Sequence, residues 1–106
     1  MKILVVDDSR SQAMLLGGIL NGAGYGDVVV VHDAAAALSA LDDHLEEGGG
    51  SGVDLILMDI VMPDMDGIEA TTRIKADARF RDIPVIMVTV RDEVASLEKA
   101  LEAGAI

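Results

Sequence analysis

Short apolar runs alternate with helical patterns along the whole chain. The first run covers residues 3–6, consists of Ile, Leu and Val, and stops at two aspartates. A run of this length and composition is typical of a buried strand. Comparable runs follow at residues 28–31, 53–59 and 83–90. The pattern therefore predicts four strands, with a helical segment after each of them.

The helical segments are indicated by apolar side chains that recur on one face. These are Met14, Leu15, Leu16, Ile19 and Leu20 in the first helix, Leu38, Leu41 and Leu45 in the second, and Val94, Leu97 and Leu101 in the fourth. Ser9 or Ser11 can cap the first helix, and Asp33 stands where a cap of the second belongs. The third helix is predicted over residues 67–77.

Apolar strands between amphipathic helices predict an α/β fold, in which helices cover both faces of a parallel sheet. The glycine-rich residues 48–52 are interpreted as a long helix–strand connection, because neither side of them is long enough for a separate domain. In such sheets, ligands bind beyond the C-terminal ends of the strands. The functional site is therefore expected at that edge.

Composition narrows the classes of function. The 106 residues fit one domain, and the absence of Cys excludes a disulfide framework, a thiolate metal site and a cysteine nucleophile. The formal net charge of −11 disfavours direct binding to nucleic acid or to an anionic membrane. The apolar run near the N-terminus is too short for a signal peptide or a membrane span. We therefore expect a soluble, cytoplasmic protein that contacts neither nucleic acid nor membrane directly.

Acidic side chains stand where two of the predicted strands end. Asp7 and Asp8 follow the first strand, Asp59 closes the third, and Thr89 lies at the end of the fourth. Carboxylates gathered at one sheet edge repel each other, and a hard cation such as Mg²⁺ relieves that repulsion. Such a site suits phosphoryl transfer. The alternative is that these residues are ordinary caps and solvated turns, which their coincidence at one edge disfavours.

The two histidines suggest a phosphohistidine relay only weakly. His32 is predicted to end the second strand, and His44 lies on a polar helical face beside Glu46 and Glu47. We expect a catalytic role for neither.

Three segments carry a recognisable pattern. They are Ile3-Leu-Val-Val-Asp-Asp-Ser9, Asp54-Leu-Ile-Leu-Met-Asp-Ile-Val-Met-Pro-Asp-Met-Asp-Gly67 and Ile83-Pro-Val-Ile-Met-Val-Thr89. Together with the ending Ala100-Leu-Glu-Ala-Gly-Ala105, they resemble the response-regulator receiver domains of two-component signalling, of the chemotaxis-Y type. The resemblance runs the length of the chain. It implies a flavodoxin-like, doubly wound parallel sheet with strand order 2-1-3-4 in these residues.

The resemblance also implies a role for each residue at the strand ends. Asp59 would be the phosphoacceptor, and Thr89 would be the switch residue that turns its hydroxyl toward the phosphoryl oxygens. Asp8 and Asp59 would hold Mg²⁺ directly, and Asp7 would act on it chiefly through water. The backbone carbonyl of Val61 would supply a further oxygen ligand.

The same resemblance implies a signalling receiver rather than an enzyme with an external substrate. The phosphodonor would be a sensor histidine kinase or a phosphotransfer protein. The domain would catalyse only its own phosphorylation and autodephosphorylation. Phosphorylation would change the surface near the fourth strand and fourth helix, and so control an output domain or a partner. A C-terminal output domain and a homodimer both stay open.

The C-terminus departs from the family. Family members continue into a fifth strand, which carries an aromatic residue and a Lys that contacts the phosphoryl group, and then into a fifth helix. This sequence stops at Ile106, so residues 1–106 are interpreted as a receiver domain truncated before the fifth strand. Either a disordered or removed tail is omitted here, or a true truncation pairs with another chain through the exposed fourth strand.

Two other functions compete with the phosphorylated receiver. A pseudo-receiver that only binds protein is disfavoured, because the acidic residues and the Thr are all present. A Mg²⁺-dependent hydrolase of small phosphate esters is disfavoured by Val61, since haloacid-dehalogenase-type phosphatases have a second Asp at this distance from the nucleophile.

Overall fold

The computed structural model describes residues 1–45, 52–62 and 65–88. In these residues a parallel sheet has the strand order β2-β1-β3-β4, which confirms the predicted order 2-1-3-4. The elements in chain order are β1 (Lys2–Val6), α1 (Arg10–Gly22), β2 (Asp27–Val31), α2 (Ala34–Asp43), β3 (Leu55–Asp59), α3 (Gly67–Ala76) and β4 (Val85–Val88).

The register of the sheet places the ends of β1 and β3 side by side. Val6, the last residue of β1, pairs with Val31 of β2 on one side and with Met58 of β3 on the other. Asp59, the last residue of β3, pairs with Val88 of β4. Residues that follow β1 therefore emerge next to the end of β3, at one edge of the sheet.

The core explains why β1 and β3 are almost continuously apolar. Alternate residues point to opposite faces of a strand, and both faces here are covered. Leu4 and Ile56 point to the larger core, which includes Leu41 of α2 and Ile74 of α3. The opposite face has a smaller core around Ile3, Val5 and Leu57, against which Leu16 and Leu20 of α1 pack.

Side-chain caps begin all three described helices. The Ser9 hydroxyl accepts from the Gln12 N–H at 3.2 Å, which identifies Ser9 rather than Ser11 as the cap of α1. Asp33 caps α2 as predicted, accepting from the Ala36 N–H at 2.7 Å. Asp66 caps α3 by accepting from the Glu69 N–H at 2.8 Å. Each cap satisfies a backbone donor that the first helical turn leaves free.

The structure differs from the sequence-based expectation on one face of α1. Met14, Leu15 and Ile19 are 78%, 64% and 59% exposed, although they share an apolar stripe with Leu16 and Leu20. The stripe is wider than the part of α1 that packs against the sheet, and even Leu16 and Leu20 at its inner edge are only partly buried.

The ends of two strands also differ. β3 begins at Leu55 rather than at residue 53, and β4 begins at Val85 rather than at residue 83. The Ile83 N–H donates to the Phe80 carbonyl, which keeps Ile83 in the turn that follows α3. Thr89, Val90, the predicted fourth helix and glycines 48–50 lie outside the described residues. In the described part of the chain, no helix is both long and apolar enough to cross a membrane.

Replacing Gly67 by Ala should destabilise the protein by about 2 to 3 kcal/mol. Gly67 is the first residue of α3, and an added Cβ would collide with the carbonyl of Asp59. Gly18→Ala is the matched control, because Gly18 lies within α1 with open space around it. This change should instead stabilise the protein by up to about 1 kcal/mol, since Ala favours helix over Gly. Urea unfolding of both variants measures the two effects, and an equal response to both would contradict the close packing at Gly67.

Candidate functional site

Three carboxylates meet at the C-terminal edge of the sheet. Oxygens of Asp7, Asp8 and Asp59 all lie within 4.8 Å of one another. Asp7 directly follows β1, and Asp59 is the last residue of β3, so the parallel register itself brings them together. Asp7 is 1% exposed and Asp59 is 8% exposed, whereas Asp8 lies on the surface. We call these three residues the acidic cluster.

Backbone contacts hold Asp7 in place. Its N–H donates to the Val31 carbonyl at 3.1 Å, which extends the pairing of β1 with β2 by one residue. Its Oδ1 accepts from the Ser9 N–H at 2.9 Å. Its Oδ2 is buried and has no hydrogen-bond partner among the described residues. A buried carboxylate oxygen without a partner is costly, so this atom calls for a ligand.

Asp59 has a strongly perturbed acidity. Burial in the sheet edge, and then the charge of Asp7 and hydrogen bonding with Asp8 and Asp7, raise the pKa of Asp59 from 3.8 to about 7. The Val61 N–H opposes this shift, because it donates to Asp59 Oδ1 at 3.2 Å and favours the charged form. Near neutral pH, Asp59 is therefore poised between its acid and its nucleophilic carboxylate form.

The acidic cluster has the chemistry of a site for a hard divalent cation. Carboxylate oxygens are the ligands that Mg²⁺ prefers, and three of them at short range carry more charge than a buried edge tolerates alone. The unpartnered Oδ2 of Asp7 is a further sign that the cluster is incomplete without a cation. These residues therefore fit Mg²⁺, and Asp8 faces solvent.

The roles predicted for Val61 and Thr89 stay predictions. Val61 lies two residues beyond β3, and its N–H contacts Asp59, while the ligand role of its carbonyl stays a prediction. Thr89 lies outside the described residues, so its switch role also stays a prediction.

Two structural contributions to the site were missed from the sequence. The Ser9 N–H fixes the Asp7 carboxylate, although Ser9 itself was expected only as a helix cap. His32 contacts the backbone of Asp7, although it was expected only to end a strand. A backbone donor has no residue-type signal, whereas the position of His32 directly after β2 could have indicated its proximity to Asp7.

Comparison with known proteins finds a family match over nearly the whole chain. The family described as the response regulator receiver domain matches residues 3–106. The chemotaxis protein CheY1 of Helicobacter pylori is 33% identical, over 98% of this chain and 79% of the relative. The transcriptional regulatory protein CpxR of Escherichia coli is 38% identical over 98% of this chain, which spans only 40% of that relative.

A solved structure has the same fold. The receiver domain of the histidine kinase CKI1 from Arabidopsis thaliana, complexed with Mg²⁺ and BeF₃⁻, superposes with a TM-score of 0.86. It is 27% identical and aligns over 98% of this chain and 76% of its own. The similarity therefore extends from the sequence pattern to the three-dimensional arrangement of the sheet and helices.

Replacing Asp59 by Asn should stabilise the metal-free protein at about pH 8 by roughly 2 kcal/mol. The pKa of Asp59 is about 7 in the folded protein, against an ordinary value of 3.8. Between these values the folded state binds the proton more tightly than the unfolded state, so the free energy of unfolding falls as the pH rises through this window. The advantage of the variant should therefore shrink toward about pH 4.

Urea unfolding across this pH range, without divalent cations, measures the effect. Asp54→Asn is the matched control, because Asp54 is exposed and precedes β3 at the opposite end of the strand. It should show no such pH-dependent gain. A gain for Asp59→Asn that is independent of pH would contradict the raised pKa.

Proposed function

The chain belongs to the response regulator receiver domains of two-component signalling, and we propose that Asp59 accepts a phosphoryl group while Asp7, Asp8 and Asp59 hold Mg²⁺. The observation that carries this proposal is the acidic cluster, in which a buried oxygen of Asp7 has no partner within the described chain. Residues 1–106 would then belong to one receiver domain.

The chemistry assigns Asp59 the role of nucleophile. One of its carboxylate oxygens attacks the phosphorus of the donor in line, and the bond from phosphorus to the donor nitrogen or oxygen breaks. The product is an acyl phosphate on Asp59. When bound, Mg²⁺ supplies positive charge that offsets the charge on the phosphoryl oxygens. The Val61 N–H, which already donates to Asp59 Oδ1, favours the carboxylate form that attacks.

Two further roles belong to the proposal. Thr89 would respond to the acyl phosphate by turning its hydroxyl toward the added oxygens, and the Val61 carbonyl would provide another oxygen ligand for Mg²⁺. The Arabidopsis receiver complexed with Mg²⁺ and BeF₃⁻ supports Mg²⁺ and a phosphoryl group as the ligands of such a site, because BeF₃⁻ has the shape and charge of a phosphoryl group. A phosphoryl group adds negative charge and acceptor oxygens, which is the change that a hydroxyl switch can follow.

The proposed partners follow from the family. A sensor histidine kinase or a phosphotransfer protein would be the donor, and an output domain or a separate protein would respond to the surface near the fourth strand and fourth helix. The receiver would catalyse only its own phosphorylation and the later hydrolysis of the acyl phosphate. With a net charge of −11, these residues are unsuited to bind nucleic acid themselves.

Incubation with Mg²⁺ and acetyl phosphate should add one phosphoryl group to the wild-type protein, as measured by intact mass. The Asp59→Asn variant should show no adduct, because an amide oxygen is not a nucleophile for this reaction. Removal of Mg²⁺ with EDTA should slow the modification at least about tenfold. Asp54→Asn is again the matched control, since it removes an acidic side chain from the other end of β3 and should leave the adduct in place.

Three results would contradict the proposal, each in favour of a different acceptor or function. An adduct that persists in Asp59→Asn would place the acceptor elsewhere. A wild-type protein that binds Mg²⁺ but forms no adduct, from acetyl phosphate or from a phosphohistidine donor, would favour a pseudo-receiver. Turnover of many equivalents of acetyl phosphate without an acyl phosphate intermediate would favour a hydrolase.

A further inference from the structure

We propose that His32 is a positioning residue for the acidic cluster, because its ring fixes the peptide unit that joins Asp7 to Asp8. This inference rests on the proposed function, since it concerns the geometry of the Mg²⁺ site. The main evidence is a distance of 3.0 Å between His32 Nδ1 and the backbone carbonyl oxygen of Asp7.

The chemistry of this contact fixes the tautomer of the ring. A carbonyl oxygen only accepts, so Nδ1 must carry the hydrogen and donate it. In the neutral ring, Nε2 is then the unprotonated nitrogen. The ring lies half-buried in a groove between α1 and β2, whose lining also includes Ala13, Met14 and Val30.

The sheet register explains why a side chain makes this contact. The Asp7 N–H donates to the Val31 carbonyl, so Asp7 lies opposite His32 in the parallel pairing. The ladder would next bring the Asp33 N–H to the Asp7 carbonyl. However, β2 ends at Val31, and Asp33 has already turned to cap α2. The His32 ring thus donates to the Asp7 carbonyl in place of the backbone N–H that a longer β2 would supply.

The contact with His32 fixes the orientation of Asp7 and Asp8 within the acidic cluster. The carbonyl of Asp7 belongs to the same rigid peptide plane as the N–H of Asp8. When the His32 ring donates to the Asp7 carbonyl, the N–H, the carbonyl and Oδ1 of Asp7 all have hydrogen-bond partners. Only Oδ2 is then left for a cation. Without it, the plane can rotate, which moves the Asp7 and Asp8 side chains relative to Asp59.

The test compares two substitutions of His32 in the whole chain. In His32→Asn, the side-chain amide nitrogen occupies nearly the position of Nδ1 and can donate the same bond. His32→Leu keeps a comparable volume but removes the donor. The dissociation constant for Mg²⁺, measured by calorimetry, should rise about tenfold in the Leu variant and by less than about threefold in the Asn variant. Val30→Ala, a change in β2 that lines the same groove, should leave Mg²⁺ binding unchanged.

A spectroscopic readout separates positioning from general stability. Long-range proton–nitrogen correlations of the neutral His32 ring should show the hydrogen on Nδ1, the less populated site in free histidine. A hydrogen on Nε2 would overturn the inference. So would equal Mg²⁺ affinity in the wild type and in a folded Leu variant, or equal losses in the Leu and Asn variants. If instead the wild-type protein itself binds no Mg²⁺, the proposed function fails and the tautomer still tests the contact.

Discussion

The structure depends on one electrostatic conflict, the crowding of Asp7, Asp8 and Asp59 at an edge of the sheet where two of them are almost fully buried. Like charges at this range cannot all be ionised without a counter-charge, and the pKa of Asp59 rises to about 7 as a result of burial and of its acidic neighbours. The fold tolerates this because its two apolar cores lie immediately behind the cluster. This arrangement lowers the stability of the metal-free fold, and the proposed Mg²⁺ would restore it by neutralising the charge of the acidic cluster.

The parallel sheet converts a sequence pattern into this geometry. β1 and β3 are adjacent and in register, so the residues that follow Val6 and Met58 must emerge together. Gly67 permits α3 to start against the backbone of Asp59, since any side chain there would meet its carbonyl. The Val31 carbonyl and the His32 ring extend the β2 pairing onto Asp7 by one further residue. Among the described residues, main-chain contacts rather than cationic side chains hold Asp7 and Asp59.

Much of the fold was predictable because its signals are local. The apolar run before Asp7 predicted β1, and Asp33 predicted the start of α2, since both follow from burial and from free helix donors. The exposure of Met14, Leu15 and Ile19 was not predictable, because an apolar stripe does not reveal how much of it a sheet covers. The acidic cluster was anticipated from strand ends alone. Its backbone supports were not, because the contact between Asp7 and His32 depends on where β2 stops pairing.

The most direct test of the central claim is the number of protons released when Mg²⁺ binds. Calorimetry in two buffers with different ionisation enthalpies measures that number. Because the pKa of Asp59 is about 7 in the free protein, binding at about pH 6.5 should release more than half a proton per Mg²⁺, and the release should fall toward zero near pH 8. Identical heats in both buffers at about pH 6.5, with Mg²⁺ bound, would contradict a cation site that includes Asp59 as a carboxylate.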